Sequence, residues 1–146
     1  MVALGLWGLP PTSIVVYFPE SALVNDLDLT VQVLRRLRDK GMRIAVDDFG
    51  TGYSSIAYLS RFPATELKID KSLVSAIHND AHTEKLVGAV VKLAHEMDLT
   101  VVAEGIEDQV HEDALVNMGV AYGQGHHLAR PVPAEDFIAR LSHGSA

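Results

Sequence analysis

Asp47 and Asp48 stand side by side directly after Arg43-Ile44-Ala45-Val46, a run of strand type. Adjacent carboxylates at a strand end can hold hard divalent cations through oxygen, and can bridge two of them. A helix cap plus a solvated acid is the plainer role for the same pair. The next residues, Phe49-Gly50-Thr51-Gly52-Tyr53-Ser54-Ser55, favour a site. Their two glycines are free to take positive φ and their hydroxyls can cap a helix, so the loop can reshape around a ligand. Lys68 interrupts the apolar run Leu67-Lys68-Ile69. There it can orient an attacking water or neutralise a phosphate, or it can be an edge lysine whose stem snorkels. Glu104 follows Val101-Val102-Ala103 and suits a metal ligand or general base, or a cap for the helix predicted from Asp108. Gln124, between two glycines, can hydrogen-bond a substrate or simply serve a turn. Adjacent histidines point in different directions on most backbones, so His126-His127 is not read as a metal pair. Trp7, Tyr17 and Phe18 are read as core rather than as a stacking platform.

Short β-branched runs alternating with longer helical stretches must position these groups. Strands are predicted at Ile14–Phe18, Arg43–Val46, Leu67–Ile69, Val101–Ala103 and Val120–Tyr122. Between them, Val31, Leu34 and Leu37 fall at helical spacing, with Asn25 or Asp26 as cap and Gly41 as stop. A short helix is predicted over Tyr53–Arg61. Leu86, Val90, Leu93 and Met97 mark the apolar stripe of a long helix ending near Asp98. A further helix runs from Asp108 to Met118, and Pro133 opens a last amphipathic one carrying Phe137, Ile138 and Leu141. Buried strands alternating with helices mean parallel α/β architecture, and the polar residues gather where strands hand over to loops. Folds of that kind, barrels especially, keep their active sites there.

At 146 residues the chain is of single-domain size, and no linker or low-complexity tract divides it, so residues 1–146 are read as one domain. Folding at this length buries roughly 68–70% of the unfolded chain's surface. The net charge of −7 argues against nucleic-acid polymers and acidic membranes as partners. An anionic phosphate compound would need a metal ion or a local positive site. Cysteine is absent, which excludes disulfides and thiolate metal sites. The opening MVALGLWGL has neither a basic lead nor a small-residue cleavage pattern, and no apolar run approaches the ~18 residues of a membrane span. A cytoplasmic protein is expected.

Four strings in this order, DDFGTGYSS, ELKIDKSLV, VVAEGIED and QGHHLARP, each at a predicted strand end, closely resemble the EAL-domain family. The resemblance runs from about Leu4 to Leu141. It implies an α/β fold of the TIM type, a (β/α)8 barrel whose members use two Mg²⁺ or Mn²⁺ ions to hydrolyse cyclic di-GMP to the linear dinucleotide. By the same resemblance Asp47 and Asp48 are metal ligands, Lys68 positions the attacking water, and Glu104 is a base or second metal ligand. Gln124 would line the site. Phe49, Gly50, Thr51 and Gly52 begin the loop that couples metal, substrate and dimerisation, and Glu20 steadies that loop.

The departures from the family pattern matter too. The name-giving Glu-Ala-Leu triplet, whose Glu binds metal, is not in this sequence, and the family's Asn ligand has no counterpart. The family's Glu-x-x-Glu strand reads Tyr17-Phe18-Pro19-Glu20, with a phenol where the first ligand belongs. After Gln124-Gly125, the usual aromatic is His126. A full barrel takes ~250 residues, so about five parallel strands are expected here, an incomplete barrel with its N-terminal strands missing. Such an open sheet has two unpaired edges, which a homodimer or a partner protein would cover. The leading expectation is a chain of the cyclic di-GMP phosphodiesterase family that is inactive or crippled by itself and acts, if at all, as a protein-interaction remnant. The alternatives are a working phosphodiesterase, if the chain extends further or a partner completes the barrel, and a non-catalytic cyclic di-GMP receptor.

Overall fold

The computed structural model describes residues 8–19, 27–50 and 59–142. Five strands form one sheet: β1 (Val15–Pro19), β2 (Arg43–Phe49), β3 (Glu66–Ile69), β4 (Thr100–Glu104) and β5 (Tyr122–Gln124). Every neighbouring pair is parallel, and the spatial order is the chain order, β1-β2-β3-β4-β5. The helices are α1 (Leu27–Arg38), α2 (Lys71–Ala76), α3 (Ala81–Glu96), α4 (Gln109–Asn117) and α5 (Ala134–Ser142), with a 3₁₀ turn at Pro11–Ser13 ahead of β1. Crossovers between parallel strands share one hand. A strand order that never reverses therefore stacks successive helices on one face, which is barrel winding. A doubly wound sheet would reverse direction midway.

Alternation along the strands separates the two faces. Phe18, Val46, Leu67 and Val101 share one register row, and with Ile44, Ile69 and Ala103 they form the core against Val31, Leu34, Val74, Val87, Val91 and Ala94. The opposite face carries Tyr17, Ala45, Glu66 and Thr100 in one row. Lys68, Val102 and Tyr122 lie in the next, and Glu104 beside Gln124 beyond it. Glu66 is buried on this face and pairs with Arg43 at 3.0 Å.

Three aspartates start the helices that follow β3 and β4. Asp70, Asp80 and Asp108 accept hydrogen bonds from the amides of Ser72, His82 and His111 and so cap α2, α3 and α4. The cap of α4 is therefore Asp108, which frees Glu104 from that role.

Several expectations need correction. β5 starts at Tyr122 rather than Val120, because Val120 is still held by the turn after α4, its N–H bonded to the Leu115 carbonyl. In α3 the fully buried positions are Val87, Val91 and Ala94; of the expected stripe Val90 and Met97 pack against the edge of that core, while Leu86 is exposed. α2, six residues long, is too short to show a period and was not expected. Tyr17 is not core: it is 52% exposed, whereas Phe18 is buried and stacks on Phe62 with ring centroids 5.3 Å apart. The last helix forms as expected, but Phe137 and Ile138 stay more than half exposed. Trp7, the cap at Asn25 or Asp26, and residues 53–58 of the predicted short helix lie outside the described residues.

Candidate active site

The C-terminal ends of β2, β3 and β4 bring Asp47, Asp48, Lys68 and Glu104 together. Lys68 Nζ lies 2.8 Å from Asp47 Oδ1 and 2.5 Å from Glu104 Oε1. One carboxylate oxygen from each of Asp47, Asp48 and Glu104 falls within 4.8 Å of the other two. Consecutive strand residues ordinarily point to opposite faces, so two neighbouring aspartates should not share a site. Here the β2–β3 register shifts between Val46 and Phe49, and Asp48 takes a left-handed φ of 55°. That irregularity turns both carboxylates towards Glu104, the re-aiming that bulges provide beside functional sites. The Asp48 amide donates to Asp47 Oδ1 at 3.2 Å and fixes the turn.

Lys68 is 13% exposed at its side chain. Burial opposes its charge, but hydrogen bonds to Asp47 and Glu104 outweigh burial and hold the ammonium above its ordinary 10.5. From the other side the Tyr17 ring faces the ammonium, 4.6 Å from centroid to Nζ, a cation–π contact. Three carboxylates against one lysine leave the cluster at −2, a charge that invites cations. The donor set is all oxygen and half-open to solvent, so it fits a hard divalent ion such as Mg²⁺ or Mn²⁺. Lys68 bridges Asp47 and Glu104 where such an ion would draw them together.

Beside this cluster lies a concavity of about 810 Å³ whose lining includes Glu104, Gln124, Lys71, Phe137, Arg130 and Arg140. Gln124 thus shares a wall with Glu104, on neighbouring strands in register. Its floor depends on Gly125, where a Cβ would run into the backbone of Ile106. The guanidinium groups and Lys71 supply positive charge there; Lys71 is paired with Glu107 at 2.5 Å. Sequence reasoning passed over Lys71, Arg130 and Arg140, which stand alone in the chain as ordinary surface cations.

Phe49 is the last residue of β2 and is buried in the core rather than exposed in a loop. Gly50 follows with φ 100°, a conformation open to glycine alone, and packs so closely on Leu73 that a Cβ would collide. Glu20, Thr51 and Gly52 lie outside the described residues. Of the adjacent histidines, His127 sits 3.1 Å from Glu112, and His126 lines the concavity.

Carboxylates, a lysine and an amide at the C-terminal ends of sequentially ordered parallel strands define a barrel-type α/β protein with its polar site at the strand ends. The chain belongs to the EAL-domain family: the EAL domain model matches residues 4–131. Among curated proteins it is 38% identical over 134 residues to the bifunctional diguanylate cyclase/cyclic di-GMP phosphodiesterase MucR of Pseudomonas aeruginosa, covering 92% of this chain and 20% of MucR. The structure of PaMucR phosphodiesterase in complex with c-di-GMP superimposes with a TM-score of 0.87 at 38% identity, over 93% of this chain and 55% of that one. The EAL domain of Mycobacterium smegmatis DcpA gives 0.91 at 34% identity, over 98% and 64%. A manganese/cy-diGMP complex of Klebsiella pneumoniae BlrP1 gives 0.79 at 35%, over 85% and 32%. The five strands are thus a part of the TIM-barrel-like EAL fold, and the chain spans about a fifth of MucR's length. No helix among the described residues is long and apolar enough to cross a membrane.

Proposed function

We propose that this chain, as a single domain over residues 1–146, carries part of a metal-dependent site for cyclic di-GMP, and that the site is crippled for hydrolysis. The observation that carries the reading is the junction of Asp47, Asp48 and Glu104 around Lys68 at three adjacent strand ends. Asp47, Asp48 and Glu104 would hold Mg²⁺ or Mn²⁺, which when bound supplies charge stabilisation and a nucleophile near neutral pH. Lys68 keeps its proton and orients the attacking oxygen. Gln124 hydrogen-bonds the dinucleotide. The crippling rests on Tyr17. A phenol facing Lys68 occupies the β1 position where the family pattern calls for a carboxylate, so one hard ligand and one negative charge are lost. The chain then acts in the cytoplasm mainly through contacts with a second copy or a partner protein that covers the β1 and β5 edges.

A non-catalytic receptor role is favoured by the concavity, where Arg130 and Arg140 can neutralise phosphates without any metal. Thermal melts separate the readings. A ligand that binds only the folded state raises stability by about 2.7 kcal/mol at a hundredfold excess over its dissociation constant. The crippled site predicts a weak shift with Mn²⁺ plus cyclic di-GMP and no linear dinucleotide. It also predicts that Tyr17→Glu strengthens the Mn²⁺ shift. A shift with cyclic di-GMP alone supports the receptor, whereas steady formation of linear dinucleotide by the unaltered chain overturns the crippled reading.

A further inference from the structure

A second cluster, distinct in chemistry from the carboxylate site, lies where the C-terminal end of α2 meets the start of α4. His78 follows α2, Asp108 caps α4, and His111 is in the first turn of α4. His78 Nε2 lies 3.2 Å from Asp108 Oδ1, and His111 Nδ1 lies 3.1 Å from the same oxygen. One ligand atom from each residue falls within 4.8 Å of the other two. The two imidazoles overlap, with ring centroids 4.1 Å apart at 33°. His111 is 4% exposed, and neither of its ring nitrogens makes a hydrogen bond, the approach to Asp108 being wrongly angled for one.

A buried imidazole with both nitrogens unsatisfied is costly, because its polar atoms have given up water without a replacement partner. The chain tolerates that cost at a spot where a second imidazole and a carboxylate converge. A tetrahedral ion with nitrogen and oxygen ligands at about 2.0–2.2 Å sets its ligand atoms roughly 3.3 Å apart. The two separations from Asp108 are close to that edge length. We propose that His78, Asp108 and His111 form a binding site for a borderline divalent transition-metal ion of the Zn²⁺ class. Two imidazoles and one carboxylate suit Zn²⁺, Co²⁺ or Ni²⁺, whereas the all-oxygen set at Asp47, Asp48 and Glu104 suits Mg²⁺ or Mn²⁺. The two sites therefore sort metals by softness. Asp108 Oδ1 already accepts the His111 amide at 2.9 Å, which fixes the carboxylate for coordination. An ion here would tie the β3–α2 unit to the β4–α4 unit with a fourth position left open.

The test uses the untagged, chelator-stripped chain titrated with Co²⁺, whose visible absorption reports its geometry. One equivalent should bind with the intense band of a tetrahedral site, and Zn²⁺ should bleach it. His78→Ala, at the most accessible histidine of the cluster, and Asp108→Asn, which keeps the helix cap, should each weaken binding at least about tenfold. Asp47→Asn should leave the band unchanged, which separates this site from the carboxylate cluster. Absence of the tetrahedral band, retention of full affinity in His78→Ala, or loss of the band in Asp47→Asn would overturn the proposal.

Discussion

Lys68 and Asp48 show how single residues set the character of the strand ends. Lys68 neutralises Asp47 and Glu104 in the metal-free protein, and the same contacts make it a competitor for any cation. Lys68→Met should therefore lower the melting temperature of the metal-free chain, since three carboxylates are left to repel one another. It should also tighten Mn²⁺ binding, and melts with and without Mn²⁺ read both effects. The types of these residues, and their place at strand ends, were legible in the sequence. Their convergence was not fully so. Adjacent aspartates on a regular strand diverge, and only the left-handed Asp48 brings them to one side. Tyr17 was legible as a missing ligand but misread as core, because an alternating strand places neighbours on opposite faces and Phe18 alone faces inward. The histidines that converge are 33 positions apart on different elements, so no spacing announces them, whereas the conspicuous His126-His127 pair does not gather a ligand set among the described residues.

At the level of elements, caps and close approaches decide most of what can be tested. Asp70 begins α2 directly after β3, accepting from the Ser72 hydroxyl at 2.5 Å and the Ser72 amide at 2.8 Å. The Ser72 hydroxyl, against a smaller opposing effect of burial, holds the Asp70 carboxyl below its ordinary 3.8. A carboxyl whose folded-state value lies below the unfolded one stabilises the fold above that ordinary value and gives the contribution up as pH falls through the folded value. Asp70→Ala should cost about 1 kcal/mol near neutral pH. Asp70→Asn keeps the cap without the charge, so its urea midpoint should fall less than that of the unaltered chain as pH drops through and below the ordinary 3.8. Gly125→Ala should destabilise by about 3 kcal/mol, because its Cβ meets backbone of Ile106 that cannot rotate aside. Strands rich in Val and Ile were plain in the sequence. The shift of β5 was not, since Val120 has strand chemistry but is claimed by the turn closing α4.

At the largest scale the described residues form a sheet of five strands with one face packed under helices and the other carrying Tyr17, Val102 and Tyr122 beside the charged rows. Tyr17 and Tyr122 are both more than half exposed on that second face. Parallel α/β architecture could be inferred from alternating elements and the barrel from the family resemblance, and the strand order excludes a doubly wound sheet. If a second copy covers the β1 and β5 edges, light scattering at micromolar concentration should give twice the 15.8 kDa chain mass. A monomeric mass would leave a different partner to do so. The sequential order of the strands has a further consequence for synthesis. Among the described strands, each of β2 to β5 pairs with the strand emitted just before it. Loop closures stay short, which favours fast folding and shortens the time that bare edges are available to other nascent chains.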